Sequence, residues 1–302
     1  MASDSDASLI LDAADELPGW RGSLAIYQER AFAEAFASLH GLEVIEADGV
    51  LLLVSQRPLL HNMSVFVGSP RVPEPFARWW ARIEALQCSQ VEIQGASAIA
   101  ALERHRISAA DSFSFVTDLR LGEEALWTRL AKNCRTAIRK GRSLGLEVRE
   151  TQDEGDLRVF YDLLLLASEG GRRFAVSPYR VLCGVLRSGF GRLFLALGRG
   201  RPVGGVFYLA STSLHAWFAC FLRELMPDAP GNGLYWEAMR WGITRGLHFH
   251  DFGVQSLGAQ PGLTPFKRSF SPFLVPAHAY RVPQSRLKLA LASLPRWLPG
   301  TS

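Results

Sequence analysis

The 302-residue sequence holds only four cysteines, Cys88, Cys134, Cys183 and Cys220, far apart and never in a CxxC pair. Such spacing argues against a disulfide scaffold or a zinc ribbon and reads as buried thiols in a reducing compartment. Also missing is any apolar run of the ~18–20 residues that a membrane span requires. The opening stretch, MASDSDASLILDAADELPGW, is acidic and lacks the basic-then-apolar order of a signal peptide. These absences predict a cytoplasmic protein, with peripheral contact at the inner membrane face left open. No Ser-His-Asp or Cys-His arrangement is legible, so chemistry at this chain is expected to proceed by direct attack, without a covalent intermediate.

What is present is ordinary in bulk and uneven in detail. With 48% hydrophobic and 21% charged residues the chain is globular, and its length predicts two domains. The net charge of +4 and pI near 9.0 permit contact with phosphates without demanding it. The clustering is more informative. Lys132, Arg135, Arg139, Lys140 and Arg142 put five cations into eleven residues with no acid among them. On a helix Arg135, Arg139 and Arg142 share a face, and Leu126, Leu130, Cys134 and Ile138 form an apolar stripe beside it. The spacing predicts one basic helix over 124–144. A solvated charged face is the plain alternative to a phosphate grip at Arg135, Arg139, Lys140 and Arg142.

Periodicity gives the same order of elements twice. Leu42–Glu46, Val50–Ser55 and Leu59–Val67 read as strands, with Asp48-Gly49 as a tight hairpin turn. A helix over Pro73–Cys88 and a short strand from Val91 follow. Later, Arg192–Leu197, Val203–Leu209 and Leu214–Phe221 are three strands, then a helix from Gly233 to Gly246 and a strand from Leu247 to Phe252. Between them, Asp156–Ala167 and Ser177–Leu186 read as helices, joined by a loop carrying Gly170-Gly171-Arg172-Arg173 that either lines a cleft or is an exposed connector. Glycines within Val203-Gly-Gly-Val mark a strand that something approaches closely. The repeat lies in element order, not in residue identity.

Leu126-Trp127, the run Asn133 to Lys140, Gly145-Leu-Glu-Val, Phe160-Tyr161, Trp236 to Trp241, Gly246 to Gly253 and Phe266-Lys267-Arg-Ser-Phe270 come in an order that resembles the FemAB-like family. That family comprises relatives of the GNAT N-acyltransferases built from two such domains. The resemblance covers about residues 115–275 well and the first hundred loosely. It implies an α/β (α+β) fold of two tandem GNAT-like domains, each a mixed, mostly antiparallel sheet flanked by helices. The expected division is an acidic segment 1–19, an N-terminal domain 20–118, a C-terminal catalytic domain 119–283 and a basic tail 284–302.

The resemblance also implies a site. Where GNAT enzymes carry a glycine-rich pyrophosphate loop, this chain has Arg223 to Gly233, so Gly231, Asn232 and Gly233 are expected to hold the phosphates of coenzyme A. A helix N-terminus suits the task, since its first turn offers unpaired N–H donors. Asp228 departs from the family's basic or amide residue there, and a glycine-rich helix start is the alternative reading. Lys267 is expected to stabilise charge on the reacting carbonyl or the donor's phosphate, with a surface lysine in a basic FKRSF strand as the plain alternative. Asp251, ending a strand, either orients or deprotonates the acceptor amine or caps the loop 253–262. His215 is another possible base. His248, His250 and Asp251 lack a convincing third ligand, so no metal is expected.

The function implied is transfer of an acyl group from acyl-CoA to an amine of a phosphorylated or lipid-linked envelope or polysaccharide precursor, with no permanently bound cofactor. Aminoacyl-tRNA is the alternative donor. From another class, the basic helix and the tail from Ser285 would suit a non-enzymatic protein that docks on RNA or an anionic membrane.

Overall fold

The structure, a computed structural model, describes residues 17–56, 64–69, 75–96, 98–170, 174–222, 230–257 and 262–287. The chain forms two compact units, Tyr27–Ser108 with His278–Ser302, and Met1–Ile26 with Ala109–Ala277. Among the described residues no helix is long and apolar enough to cross a membrane.

The smaller unit starts with α1 (Arg30–His40), which ends at Gly41 in the left-handed region, and β1 (Leu42–Ala47). Asp48 and Gly49, both at positive φ, turn the chain tightly into β2 (Val50–Ser55), so that Ala47 faces Val50. β3 (Ser64–Gly68) extends the antiparallel meander; α2 (Phe76–Ala85) then crosses over to β4 (Gln90–Ala96), which lies parallel to β3. Trp79 and Ile83 of α2 reach zero exposure against Leu52, Val54, Val65, Val67, Val91 and Ile93.

The larger unit opens with β5 (Ser112–Asp118), α3 (Glu123–Arg129), α4 (Lys132–Ser143) and β6 (Leu146–Thr151). Helices α5 (Glu154–Ala167) and α6 (Tyr179–Arg187) lead to the meander β7 (Gly191–Gly198), β8 (Arg201–Ala210) and β9 (Ser213–Phe221). Next come α7 (Pro230–Thr244), β10 (Phe249–Ser256), the short α8 (Leu263–Arg268) and β11 (Phe273–Pro276). The seven strands stand in the order β11-β5-β10-β9-β8-β7-β6, with β9–β10 parallel and its other pairs antiparallel. Finally β12 (His278–Pro283) returns to the smaller unit and pairs antiparallel with β4, giving the order β1-β2-β3-β4-β12. Each unit thus carries a mixed, mostly antiparallel sheet flanked by helices, the tandem GNAT-like plan.

Three local expectations are corrected. Residues 112–118 belong to the larger sheet, paired with β10, and residues 278–283 to the smaller one, because strand pairing and not sequence proximity decides membership. The basic helix is two helices: Leu130 and Ala131 are extended (ψ 139 and 148), and the Ala131 amide bonds Ser269 O. The apolar stripe survives the break, with Leu126, Leu130, Cys134 and Ile138 all buried. Lys267 lies on helix α8, not on a strand. The glycines of β8 are explained by close approach: a Cβ at Gly204 would meet Cys220 O at 2.5 Å, and one at Gly205 would meet Phe160 at 2.8 Å.

Candidate active site

The larger sheet parts at its one parallel pair. β9 and β10 are hydrogen-bonded through Phe249↔Ser213, His250↔Leu214 and Asp251↔His215, and there the ladder stops. β9 runs on to Phe221 beside β8, while β10 continues beside β5. Both strands are irregular at the parting: in β10 Phe252 and Gly253 together face Phe115 in a bulge, between Asp251↔Val116 and Val254↔Ser114, and in β9 Trp217 is extra against β8, between Phe207↔Phe218 and Tyr208↔Ala216. Gly253 sits at φ +81, a conformation that costs an L side chain about 1–2 kcal/mol. Asp251 Oδ1 accepts the Gly253 amide at 2.8 Å and closes the bulge. A parted ladder offers strand-edge N–H and C=O groups to whatever enters between the strands.

Successive strand residues point to opposite faces, so the fork has two chemically different sides. On one side lie Val116 and Phe249, under Leu17. There Asp251, at 1% exposure, accepts Ser114 Oγ at 2.7 Å on Oδ1 and meets His215 Nδ1 at 2.8 Å on Oδ2. Ser114 in turn accepts from the buried Ser23 Oγ at 2.6 Å. Burial acts to raise the Asp251 carboxyl, but the His215 charge and hydrogen bond, with Ser114 and the Gly253 amide, outweigh it and hold it below its ordinary value.

On the other side is the main core, with Phe115, Tyr208, Tyr235 and Phe252. Lys267 reaches the fork from here, donating Nζ to Gly253 O at 3.1 Å and lying 5.1 Å from the centre of the Phe115 ring. Burial lowers its pKa to about 8 against the opposing pull of Asp251. The surface lysine of the plainer sequence reading is therefore a buried one, at 5% exposure. His250, wholly buried among Tyr208, Tyr235 and Phe252, bonds Tyr208 OH at 3.0 Å, and burial pushes it down to about 3. It is a neutral core histidine. Among the described residues no group of three or more His, Cys, Asp or Glu is placed to hold a metal.

Gly231, Asn232 and Gly233 form the buried first turn of α7 rather than a loop before it. A Cβ at Gly231 would sit 3.3 Å from the Phe266 ring and one at Gly233 2.6 Å from Leu146 Cδ2, so both glycines admit neighbouring side chains. Asn232 Nδ2 donates to Cys134 Sγ at 3.3 Å. Phe266 adjoins Lys267 on α8, which brings this turn near the fork. Residues 223–229, Asp228 included, lie outside the described residues, as do 171–173 and most of the tail.

The cations of α4 have separate employments. Arg135 Nη1 donates to Thr128 O at 2.9 Å and to Leu130 O, closing the C-terminal end of α3. Arg142 pairs with Glu237, and Arg139 lies 5.4 Å from the Trp127 ring centre. Arg135, expected to grip phosphate, is engaged here as a helix cap, on carbonyls five and seven positions before it.

The structure brings Asp251 and Lys267 together through Gly253. What sequence reasoning left without an argument is His215, and Ser114 and Ser23 it missed altogether. Their signal was the register, in which His215 faces Asp251 across a parallel pair.

Residues 128–268 match the acetyltransferase (GNAT) domain model. No curated protein sequence matches the chain. Among solved structures the chain is similar to FemX (TM-score 0.64, 13% identity, covering 86% of this chain and 93% of that one). It is also similar to a C-terminal domain assigned to a lysylphosphatidylglycerol synthetase of Agrobacterium fabrum (0.56, 14%, 89% and 94%). A third likeness is to a tandem GNAT protein from the clavulanic acid biosynthesis pathway (0.53, 12%, 94% and 97%). At these identities the likeness to the three structures is one of fold.

Proposed function

We propose that this chain, which carries an acetyltransferase (GNAT) domain over residues 128–268 in a FemAB-like tandem fold, is an N-acyltransferase acting on an amine of a phosphorylated cell-envelope or polysaccharide precursor, with acyl-CoA as donor. The observation that carries this reading is the parted pair β9–β10 with Lys267 buried beside it. A carbonyl lodged between parted strands meets backbone N–H donors fixed in advance, and donors fixed in advance stabilise a developing oxyanion. Lys267 adds a cation in a water-poor setting, where it acts strongly on that oxyanion or on a donor phosphate. The first turn of α7, at Gly231, Asn232 and Gly233, is the donor's phosphate end in this reading. Arg139 and Lys140, both exposed on α4, are the cations assigned to acceptor or donor phosphates in this reading. The fold's likeness to FemX and to the lysylphosphatidylglycerol synthetase domain supports an envelope or lipid-linked acceptor.

A second reading, with an aminoacyl-tRNA donor, is favoured by one observation. Gly231 and Gly233 are accounted for by packing against Phe266 and Leu146, which removes one argument for a pyrophosphate cradle. Thermal shift separates the two. A ligand specific to the folded state stabilises it by about 2.7 kcal/mol at a hundredfold excess over Kd. Coenzyme A or acetyl-CoA should raise the melting temperature; no rise with any acyl-CoA, together with a rise on adding charged tRNA, would reverse the donor. Gly233→Asp is a poor control, since the new side chain would press on Leu146 and disturb the fold itself.

A further inference from the structure

An amine that attacks a carbonyl must lose a proton, and a charged Lys267 cannot take it. The geometry points to His215 as the catalytic base, with Asp251 as its positioning residue and Ser114 and Ser23 behind Asp251; the assignment rests on the acyl-transfer reading.

Asp251 does not reach a substrate itself. It is 1% exposed, and both its oxygens are taken, Oδ1 by Ser114 and the Gly253 amide and Oδ2 by His215 Nδ1. The sequence expectation of Asp251 as the group that meets the amine therefore passes to its neighbour. A carboxylate only accepts, so the His215 nitrogen facing it must carry the hydrogen. Neutral His215 is then fixed as the Nδ1–H tautomer, and the lone pair stands on Nε2. The His215 side chain is 12% exposed where Ser114 and Asp251 are each 1% and Ser23 is 5%, so of the four hydrogen-bonded groups His215 is the one most open to solvent. The series ends at the last residue of β9 paired with β10, at the mouth of the fork and on the face opposite Lys267. One face thus carries a proton acceptor and the other a cation for the carbonyl oxygen.

In the step assigned, the amine nitrogen forms a C–N bond to the carbonyl carbon of an acyl thioester while its proton passes to His215 Nε2. The carbonyl π pair moves onto oxygen. On collapse the C–S bond breaks, the leaving thiolate takes the proton from His215, and the imidazole is neutral again.

The first test needs no substrate. Nitrogen-15 NMR of the imidazole-labelled protein should find neutral His215 as the Nδ1–H tautomer, and Asp251→Asn, whose amide can donate to Nδ1, should convert it to Nε2–H. The second uses acetyl-CoA with glucosamine 6-phosphate as the probe amine. His215→Ala should lower kcat a hundredfold or more with KM within threefold, and imidazole in the buffer should restore part of it. His215→Gln serves should the alanine variant not fold. Ser114→Ala, which removes one donor to Asp251, should lower kcat severalfold. An Nε2–H tautomer in the wild type, or an undiminished kcat in either His215 variant, overturns the assignment. A wild type silent with every acyl-CoA and amine offered counts against the acyl-transfer reading instead, and the tautomer then decides the dyad.

Discussion

Both sheets make the same move, from the third strand of a meander through a helix to a parallel partner, and they finish it differently. In the smaller unit β3 pairs with β4 along all of its five residues, and Val65, Val67, Val91 and Ile93 are all without exposure. In the larger unit β9 and β10 share three pairs and then part, and the side chains at the parting are His215, Asp251 and, across the bulge, Lys267. A closed ladder satisfies the backbone and buries aliphatic surface. An open one forgoes those bonds and buries ionisable groups, a local loss of stability that sites of chemistry tolerate. The plan that the two units share is therefore a scaffold, and the chemistry is expected where one copy departs from it.

Damage to the closed copy should cost folding and spare chemistry. Trp79→Ala removes a wholly buried indole over β1–β4 and should destabilise by about 3–5 kcal/mol, read as a lower melting temperature. Turnover per folded molecule should stay unchanged; a specific loss of kcat would erase the contrast between the units.

The open copy should behave in reverse. Lys267→Ala should lower turnover by roughly a hundredfold or more, about 2.7–4 kcal/mol of transition-state stabilisation, with substrate affinity much less affected. Lys267→Arg keeps the charge with another shape and should rescue only in part. Near-normal turnover in the alanine variant would make the fork a structural irregularity.

Gly253→Ala sharpens the comparison by acting on the bulge itself. The positive φ should cost about 1–2 kcal/mol, with kcat falling as Asp251 and Lys267 lose their common anchor. A further effect is one of pH. Lys267 holds its proton less firmly when folded, with a pKa of about 8 against an ordinary 10.5, so between those values the unfolded chain binds more protons. Stability contributed through this group therefore rises as pH rises from about 8 toward 10.5. Denaturation at several pH values should find that rise missing in Lys267→Met.

Much of the scaffold was legible in the sequence, because meander strands, the Asp48-Gly49 turn and the stripe from Leu126 to Ile138 are local patterns. The site was legible only in part. Lys267 and Asp251 could be named, but not their burial, which depends on aromatic packing across the sheet. His215 and Asp251 are 36 positions apart, and Ser23 and Ser114 are 91, so only the strand register and the course of the N-terminal segment bring them together. The break at Leu130–Ala131 escaped for the same reason, since the Ala131 amide is held by Ser269 O from the far end of the unit's sequence.

The course of the chain through β12 bears on synthesis. Tyr280 of that strand is wholly enclosed in the smaller unit, where its hydroxyl accepts from the Ile99 amide and donates to Glu103. Residues 27–108 leave the ribosome early, yet their sheet is completed by a strand made after the whole of 109–277. Through that interval β4 has β3 on one side and nothing of its own sheet on the other, a hydrogen-bonding edge open to strands of neighbouring chains. A nascent chain stopped short of residue 278 would carry that edge for good, which makes β12 the seal against aggregation of a unit that begins some 250 residues earlier.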